Sequence, residues 1–145
     1  MKVILFLLLL TIQLAVVSSR KRFRIQSIYD DTFWAAEGDK IVLRKNNPLL
    51  WYAQNVGAGY QLMPINNNRI LTYNGPNNFI TLAGYGNNIQ TNQLFKFKPG
   101  FFNNTKLSIG VVSEPGQFAS IRNEGEKSYI ISSADRYKQW KLIFV

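Results

Sequence analysis

The sequence predicts an all-β fold, and two patterns carry this prediction. No segment shows sustained helical periodicity, whereas short apolar and aromatic runs bounded by Gly, Pro and Asn recur along the chain. Three segments also share one order: an aromatic-led strand, a turn with Gly, a second β-rich run, and a loop that ends at an aromatic. The closing aromatics are Trp51, Phe95 and Trp140, which are 44 and 45 residues apart. This period indicates one supersecondary unit repeated three times.

The predicted strands follow from the turn residues between them. Residues 23–29 alternate with Phe23 and Ile25 inward, and Gly38 marks a hairpin turn between the next two strands. Asn74-Gly75 is the strongest short hairpin signal of the second unit. The predicted strands are residues 23–29, 32–36, 41–43 and 49–52 in unit one, 60–65, 69–73, 79–83 and 94–97 in unit two, and 101–102, 106–109, 118–121, 128–131 and 140–145 in unit three.

These units of about four short strands each favour a β-trefoil with three pseudo-repeats. A propeller would need at least four blades, and an up-and-down barrel has no reason to repeat three times. The apolar C-terminus, residues 140–145, is predicted to pair with the strand around Phe23. Such closure would remove exposed sheet edges.

The N-terminal residues 1–19 have the features of a secretory signal peptide. Lys2 precedes an unbroken apolar run, and Val17 and Ser19 place small residues before a cut at Arg20. A signal anchor is the rival interpretation, although the apolar run is shorter than the ~20 residues of a spanning helix. We therefore expect an extracellular or cell-wall location, no stable membrane span after cleavage, and one domain over residues 20–145.

Composition narrows the possible functions. The chain contains neither His nor Cys, which excludes nucleophile systems based on those residues and makes zinc, iron-sulfur and haem sites implausible. No metal or other cofactor is expected. The acid pairs Glu37/Asp39 and Glu124/Glu126 fall in predicted hairpin turns, where acids are ordinary, so no enzyme activity is predicted. The net charge of +9 favours acidic partners, and extracellular location argues against nucleic acid.

One motif in the second unit resembles a known family. The run Asn92-Gln93-Leu94-Phe95 is similar to the Asn-Gln-x-Trp signature of ricin B-type lectins, with Phe in place of Trp. The resemblance implies that Gln93 and Phe95 are structural and that Asn92 binds sugar hydroxyls. In the same way, Trp51 and Trp140 would anchor the other two units. The Cys-free, Asn-rich profile with a signal peptide also resembles secreted lectin-like proteins of microsporidian parasites.

Further candidate binding residues lie in predicted loops. Tyr85 is suited to stacking on a sugar ring, and Asn87 and Asn88 supply amide donors and acceptors for sugar hydroxyls. Asp30 and Asp31, beside Tyr29, occupy the corresponding loop of unit one. An acid beside an aromatic is typical of lectin sites, and it is also a common turn composition.

Two other surface features are predicted. If the termini pair, the basic residues Arg22, Arg24, Lys138 and Lys141 become neighbours and form a patch suited to sulfated or acidic glycans. Asn103 opens an Asn-x-Thr sequon, which marks a surface loop that can carry a glycan.

Together these features predict a secreted carbohydrate-binding module with shallow loop sites, whose partner is a carbohydrate or glycoprotein. Two alternatives remain open. One is a structural or interaction protein of an extracellular coat, wall or invasion apparatus that has lost sugar binding. The other is a trefoil-type protease inhibitor, for which the sequence offers no distinctive reactive loop.

Overall fold

A computed structural model of the protein describes residues 21–84 and 86–145. Within them the chain forms twelve strands and one short 3-10 turn, Thr91–Gln93, so the all-β prediction is confirmed. The predicted signal peptide lies outside the described residues. The strands are β1 (Arg22–Ser27), β2 (Phe33–Glu37), β3 (Lys40–Arg44), β4 (Trp51–Asn55), β5 (Tyr60–Pro64), β6 (Arg69–Thr72), β7 (Thr81–Gly84), β8 (Phe95–Lys98), β9 (Ser108–Val111), β10 (Phe118–Glu124), β11 (Lys127–Ser133) and β12 (Trp140–Phe144).

Six of these strands form a closed antiparallel ring. In order around the ring, β12 pairs with β1, β1 with β4, β4 with β5, β5 with β8, and β8 with β9. A bridge between Leu107 and Trp140 joins the start of β9 to β12 and completes the circuit. The predicted pairing of the C-terminal strand with the Phe23 strand is confirmed, because Phe23 lies opposite Phe144 and Ile25 opposite Leu142.

The other six strands form three hairpins, β2–β3, β6–β7 and β10–β11. The hairpins contact one another: Val42 pairs with Tyr129, and Lys40 pairs with Thr81. Ala35, Val42 and Tyr129 form a small apolar cluster at this junction. The turns of the first and third hairpins contain Gly38 and Gly125 at φ near +60°, a conformation that glycine adopts without steric strain because it has no Cβ atom.

The main core combines residues of the six-strand ring with residues of the hairpins, and its largest fully buried side chains are aromatic. Trp51, Phe95 and Trp140, the three residues that define the sequence period, are all completely buried. Trp34 is buried between two of them. Its ring centroid is 5.2 Å from that of Trp140 and 6.0 Å from that of Trp51, both in edge-to-face geometry, which aromatic pairs prefer.

The structure corrects two predicted elements. Residues 101–102 are not a strand. Instead, the aromatic side chain of Phe101 packs edge-on against those of Phe23 and Phe144, at one end of the six closed strands. The Asn74-Gly75 pair does not form a two-residue hairpin, because β6 ends at Thr72 and β7 begins only at Thr81. Among residues 21–84 and 86–145, no helix has the length and apolar character that crossing a membrane requires.

Candidate ligand-binding depressions

The residues predicted to bind sugar in unit two are placed as follows. Tyr85 lies outside the described residues, and Asn87 and Asn88 are exposed. The Asn92 side chain is half-buried and donates a hydrogen bond to the carbonyl of Tyr73 at 3.4 Å. Asn87, Asn88 and Asn92 line neither of the two depressions described below.

Gln93 is buried, and its Nε2 donates to the hydroxyl of Thr72 at 3.2 Å. Gln139, next to Trp140, is buried in the same way in unit three, and its Nε2 donates to the hydroxyl of Ser120 at 3.3 Å. A buried Gln amide therefore bonds to a Ser or Thr hydroxyl in each of these two units. The sequence resemblance had suggested a framework role for Gln93 alone.

A polar depression of about 350 Å³ surrounds Tyr29 and Asp30. Tyr29 is 64% exposed, so one ring presents much of its surface to solvent. Its walls combine residues of β1 and of the loop after β1 with residues of β3, β10 and β11 and with the residue before β12. We name it the Tyr29 depression, and its lining residues are Ser27, Tyr29, Asp30, Leu43, Ile121, Asn123, Ser128 and Gln139.

Local hydrogen bonds hold the polar side chains of this depression in place. One carboxylate oxygen of Asp30 accepts from the backbone N–H of Thr32 at 2.9 Å and also from the Thr32 hydroxyl. The Ser128 hydroxyl donates to Oδ1 of Asn123 at 2.7 Å. Among the described residues, the second oxygen of Asp30 and the Nδ2 group of Asn123 have no hydrogen-bond partner. They are an acceptor and a donor beside an exposed aromatic ring.

Sequence reasoning pointed to Asp30 and Tyr29 but missed Asn123, Ser128 and Gln139. These three residues belong to the third unit, more than 90 positions further along the chain. Only the contact between the first and third hairpins and the return of β12 to β1 bring them to Tyr29. Asp31, the neighbouring prediction, is exposed and does not line the depression.

The predicted basic residues lie on or beside the β1–β12 pair. Arg22 and Arg24 alternate with the buried Phe23 on β1 and therefore face outward. Lys141 lies opposite Gln26, diagonal to Arg24, and Lys138 is exposed in the connection before β12. None of the four forms an ion pair with an acid in the described part of the chain.

A second depression, of about 410 Å³, lies at the junction of the three hairpins. Lys40 places its ammonium 4.3 Å from the centroid of the Phe79 ring, and the Arg122 guanidinium is 4.7 Å from the same centroid. Cations at this distance are attracted to the ring's π electrons. Asp39 also lines this depression, so its walls carry both signs of charge.

The acid considered for catalysis, Glu37, is engaged in ion pairs. Its carboxylate accepts from Lys127 at 2.8 Å and from Arg44 at 2.8 Å, which ties the first hairpin to the third. The hydrogen bond from Lys127 is the main reason that the pKa of Glu37 is lowered. Within the described residues, no group of three or more acids is placed to hold a metal ion.

The sequon residue Asn103 is exposed in the loop before β9. Its Oδ1 accepts a long hydrogen bond of 3.5 Å from the backbone N–H of Phe144, and Thr105 donates to its carbonyl. Glycosylation at Asn103 stays a prediction.

Comparison with known proteins finds structures with a similar fold but no matching family. No protein-family model and no curated protein matches the chain. Among solved structures, the chain is similar to lysenin in complex with phosphocholine, with a TM-score of 0.72, 10% identity and coverage of 88% of this chain. It is similar also to the lysenin pore, with a TM-score of 0.69 and the same identity and coverage.

The chain spans less than half the length of these lysenin chains, 45% and 46% respectively. At this identity the likeness concerns the fold alone. It shows a β-rich architecture shared with part of lysenin, while the ricin B-type resemblance of Asn92–Phe95 and the trefoil stay predictions.

Proposed function

We propose that the chain is a secreted, non-catalytic recognition module with a β-trefoil fold that binds carbohydrate in the Tyr29 depression. The trefoil is supported by the ring of six strands, by the three hairpins that meet at one junction, and by the equivalent burial of Trp51, Phe95 and Trp140. A non-catalytic role is supported by Glu37, whose carboxylate is committed to Lys127 and Arg44.

The observation that carries the carbohydrate proposal is the composition of the Tyr29 depression. Sugars offer hydroxyls that both donate and accept hydrogen bonds, and they also offer an apolar ring face. Asp30 and Asn123 supply fixed polar groups, and the exposed ring of Tyr29 supplies a stacking surface. A concave site with a few convergent polar groups and one aromatic suits such a ligand.

A second candidate ligand is a choline-type headgroup. A quaternary ammonium binds to an aromatic face by cation–π attraction and is further stabilised by a carboxylate. Tyr29 and Asp30 offer both groups at the same depression. The similarity to lysenin in complex with phosphocholine supports testing this ligand alongside glycans.

The test is binding of the purified domain to a broad glycan array and to phosphocholine-coated beads. Tyr29→Ala removes the exposed ring and should abolish retention, with little change in melting temperature because the ring is exposed. Phe102→Ala is the matched control. Phe102 is 52% exposed but lies next to Phe101 at the Phe23 end of β1, whereas the Tyr29 depression lies at the Ser27 end.

Binding that Tyr29→Ala loses and Phe102→Ala keeps supports the proposal, and the surface that retains the protein distinguishes glycan from headgroup. If the wild-type domain binds neither, the proposal fails and the structural coat-protein or inhibitor alternatives replace it. If glycan binding survives Tyr29→Ala but is lost in Asn92→Ala, the site lies in unit two, as the ricin B-type resemblance implies.

A further inference from the structure

A small cavity lies on the outer side of the β8–β9 pair, away from the Tyr29 depression. Its volume is about 100 Å³, and its walls come from β8, from β9, from the turn that joins β9 to β10 and from Phe118 at the start of β10. On this measure one water molecule needs about 10–15 Å³, so the cavity has room for a compact ionic group. Nothing in the sequence patterns pointed to this place.

Two lysines flank the cavity. Lys96 and Lys98 alternate with the buried Phe95 and Phe97, so both project from the outer face of β8, about 7 Å apart along the strand. Neither forms an ion pair or a hydrogen bond within the described part of the chain, and no acid lines the cavity.

The nearest acid in the adjoining turn faces elsewhere. Glu114 accepts a hydrogen bond from the hydroxyl of Tyr73, which is largely buried. Burial, followed by the bond to Glu114, raises the pKa of Tyr73 to about 12. Glu114 therefore bonds to a residue outside the cavity lining, and the two lysines outnumber this one carboxylate, so the local charge is positive.

The cavity also presents an apolar ring and a buried polar atom. Lys96 lies opposite Gly110 on β9, and the Phe118 ring packs over this glycine, 3.4 Å from the position that a Cβ atom would take. Gln117, which also lines the cavity, has a buried Oε1 atom with no hydrogen-bond partner among the described residues. A buried acceptor without a donor is costly and is rare in folded proteins.

We propose that this cavity, the Lys96 cavity, binds the sulfate or phosphate ester group of a substituted sugar. The tetrahedral oxyanion would accept charge-assisted hydrogen bonds from Lys96 and Lys98. A hydroxyl next to the ester, or the P–OH of a monoprotonated phosphate, would donate to Oε1 of Gln117. The site is independent of the Tyr29 depression and takes a different chemical group, so it does not depend on the proposed function above.

The first experiment titrates the isotope-labelled domain with sodium sulfate or sodium phosphate at constant ionic strength, with sodium chloride as the reference. We expect saturable chemical-shift changes at the Gly110 and Gly116 amides and at the Gln117 side chain. Lys96→Ala with Lys98→Ala should weaken binding by about tenfold or more, because two charge-assisted hydrogen bonds are lost. Both lysines are exposed, so the fold should not change.

The control variant combines Lys45→Ala with Lys106→Ala, which removes the same charge from exposed positions outside both the cavity and the terminal basic patch. Its anion affinity should stay within about twofold of the wild type. An equal loss in the control would show that only net charge matters and would overturn the proposal. Shifts that do not saturate with either anion would also overturn it.

A second titration compares glucose 6-sulfate, glucose 6-phosphate and unmodified glucose. An ester that binds more tightly than its free anion supports the sugar part of the proposal and identifies the ester. If neither ester exceeds its inorganic anion, the sugar part is wrong. The Tyr29→Ala variant should keep this binding, so failure at the Lys96 cavity and failure at the Tyr29 depression are distinguishable.

Discussion

The three buried tryptophans differ in one respect that can be measured. Trp140 donates its indole N–H to the carbonyl of Ala119 at 3.0 Å. The indole nitrogens of Trp51 and Trp34 are buried and have no hydrogen-bond partner among the described residues. All three side chains are completely buried. Replacement of each by Phe therefore removes the same atoms from similar surroundings, but only one replacement breaks a hydrogen bond.

The packing loss should be similar at the three sites. Trp→Phe removes three side-chain heavy atoms, which at about 0.8 kcal/mol per buried methylene-sized group is about 2 kcal/mol. Trp140→Phe also leaves the Ala119 carbonyl without its indole donor, a further cost of about 1–3 kcal/mol. Trp51→Phe removes a polar group that was already unsatisfied, so part of its packing loss is offset.

Urea denaturation monitored by circular dichroism measures the unfolding free energy of each variant. The values are comparable if the slope of this free energy against urea concentration is the same for all variants. We expect Trp140→Phe to be less stable than Trp51→Phe by about 1–3 kcal/mol. Trp34→Phe should behave like Trp51→Phe. The reasoning is refuted if Trp51→Phe destabilises the protein as much as Trp140→Phe or more. Phe95, completely buried where the period places an aromatic, indicates that a phenyl ring is tolerated at such a position.

Three further changes test other contacts. The ion pair with Lys127 lowers the folded-state pKa of Glu37, so the stability that this pair contributes is lost as pH falls below about 4.5 and through that pKa. Glu37→Gln should therefore reduce the loss of stability in this pH range. Glu126→Gln, the control with no ion pair among the described residues, should leave it unchanged. Gln93→Ala should cost about 1 kcal/mol in urea denaturation, since the buried hydroxyl that it contacts loses a donor. Arg24→Ala with Lys141→Ala should elute earlier from heparin, and unchanged elution would argue against the terminal basic patch.

Sequence patterns predicted the parts of the fold that depend on local chemistry and on burial. The turns at Gly38 and Gly125 require a positive φ, and the structure has it at both. The 44- and 45-residue spacing located three aromatics that are all completely buried. The apolar C-terminus predicted closure between β1 and β12, because an apolar last strand must find a partner to be buried.

The errors arose where a contact distant in sequence overrides a local preference. Asn74-Gly75 suggested a tight hairpin, but the following Asn77 donates its backbone N–H to the carbonyl of Ser132 and Asn78 accepts from the N–H of the same residue. These bonds hold residues 73–80 as a longer loop against the third hairpin. A single-sequence argument about turns cannot anticipate a partner more than 50 residues away.

The candidate site was only partly predictable for the same reason. Tyr29 and Asp30 are adjacent, so an acid beside an aromatic was visible in the sequence. Asn123, Ser128 and Gln139 become recognisable only when the first and third hairpins are in contact. Gln117 and Lys96 were not distinguished either, because an unsatisfied amide and a cavity are properties of packing rather than of spacing.

Formation of the Tyr29 depression depends on completion of the fold. Its walls combine the loop after β1 with β10, β11 and Gln139, so they are assembled only when the chain's last strand has returned to its first. Glu37 and Lys127 tie the first hairpin to the third, close to the same seam. A ligand at the proposed site would therefore bind only the protein in which β1 and β12 are paired. It should raise the melting temperature with concentration, as linkage requires for a ligand that binds only the folded protein. A ligand at the Lys96 cavity would contact β8, β9, the turn before β10 and Phe118 at the start of β10, and none of these lies in β1 or β12.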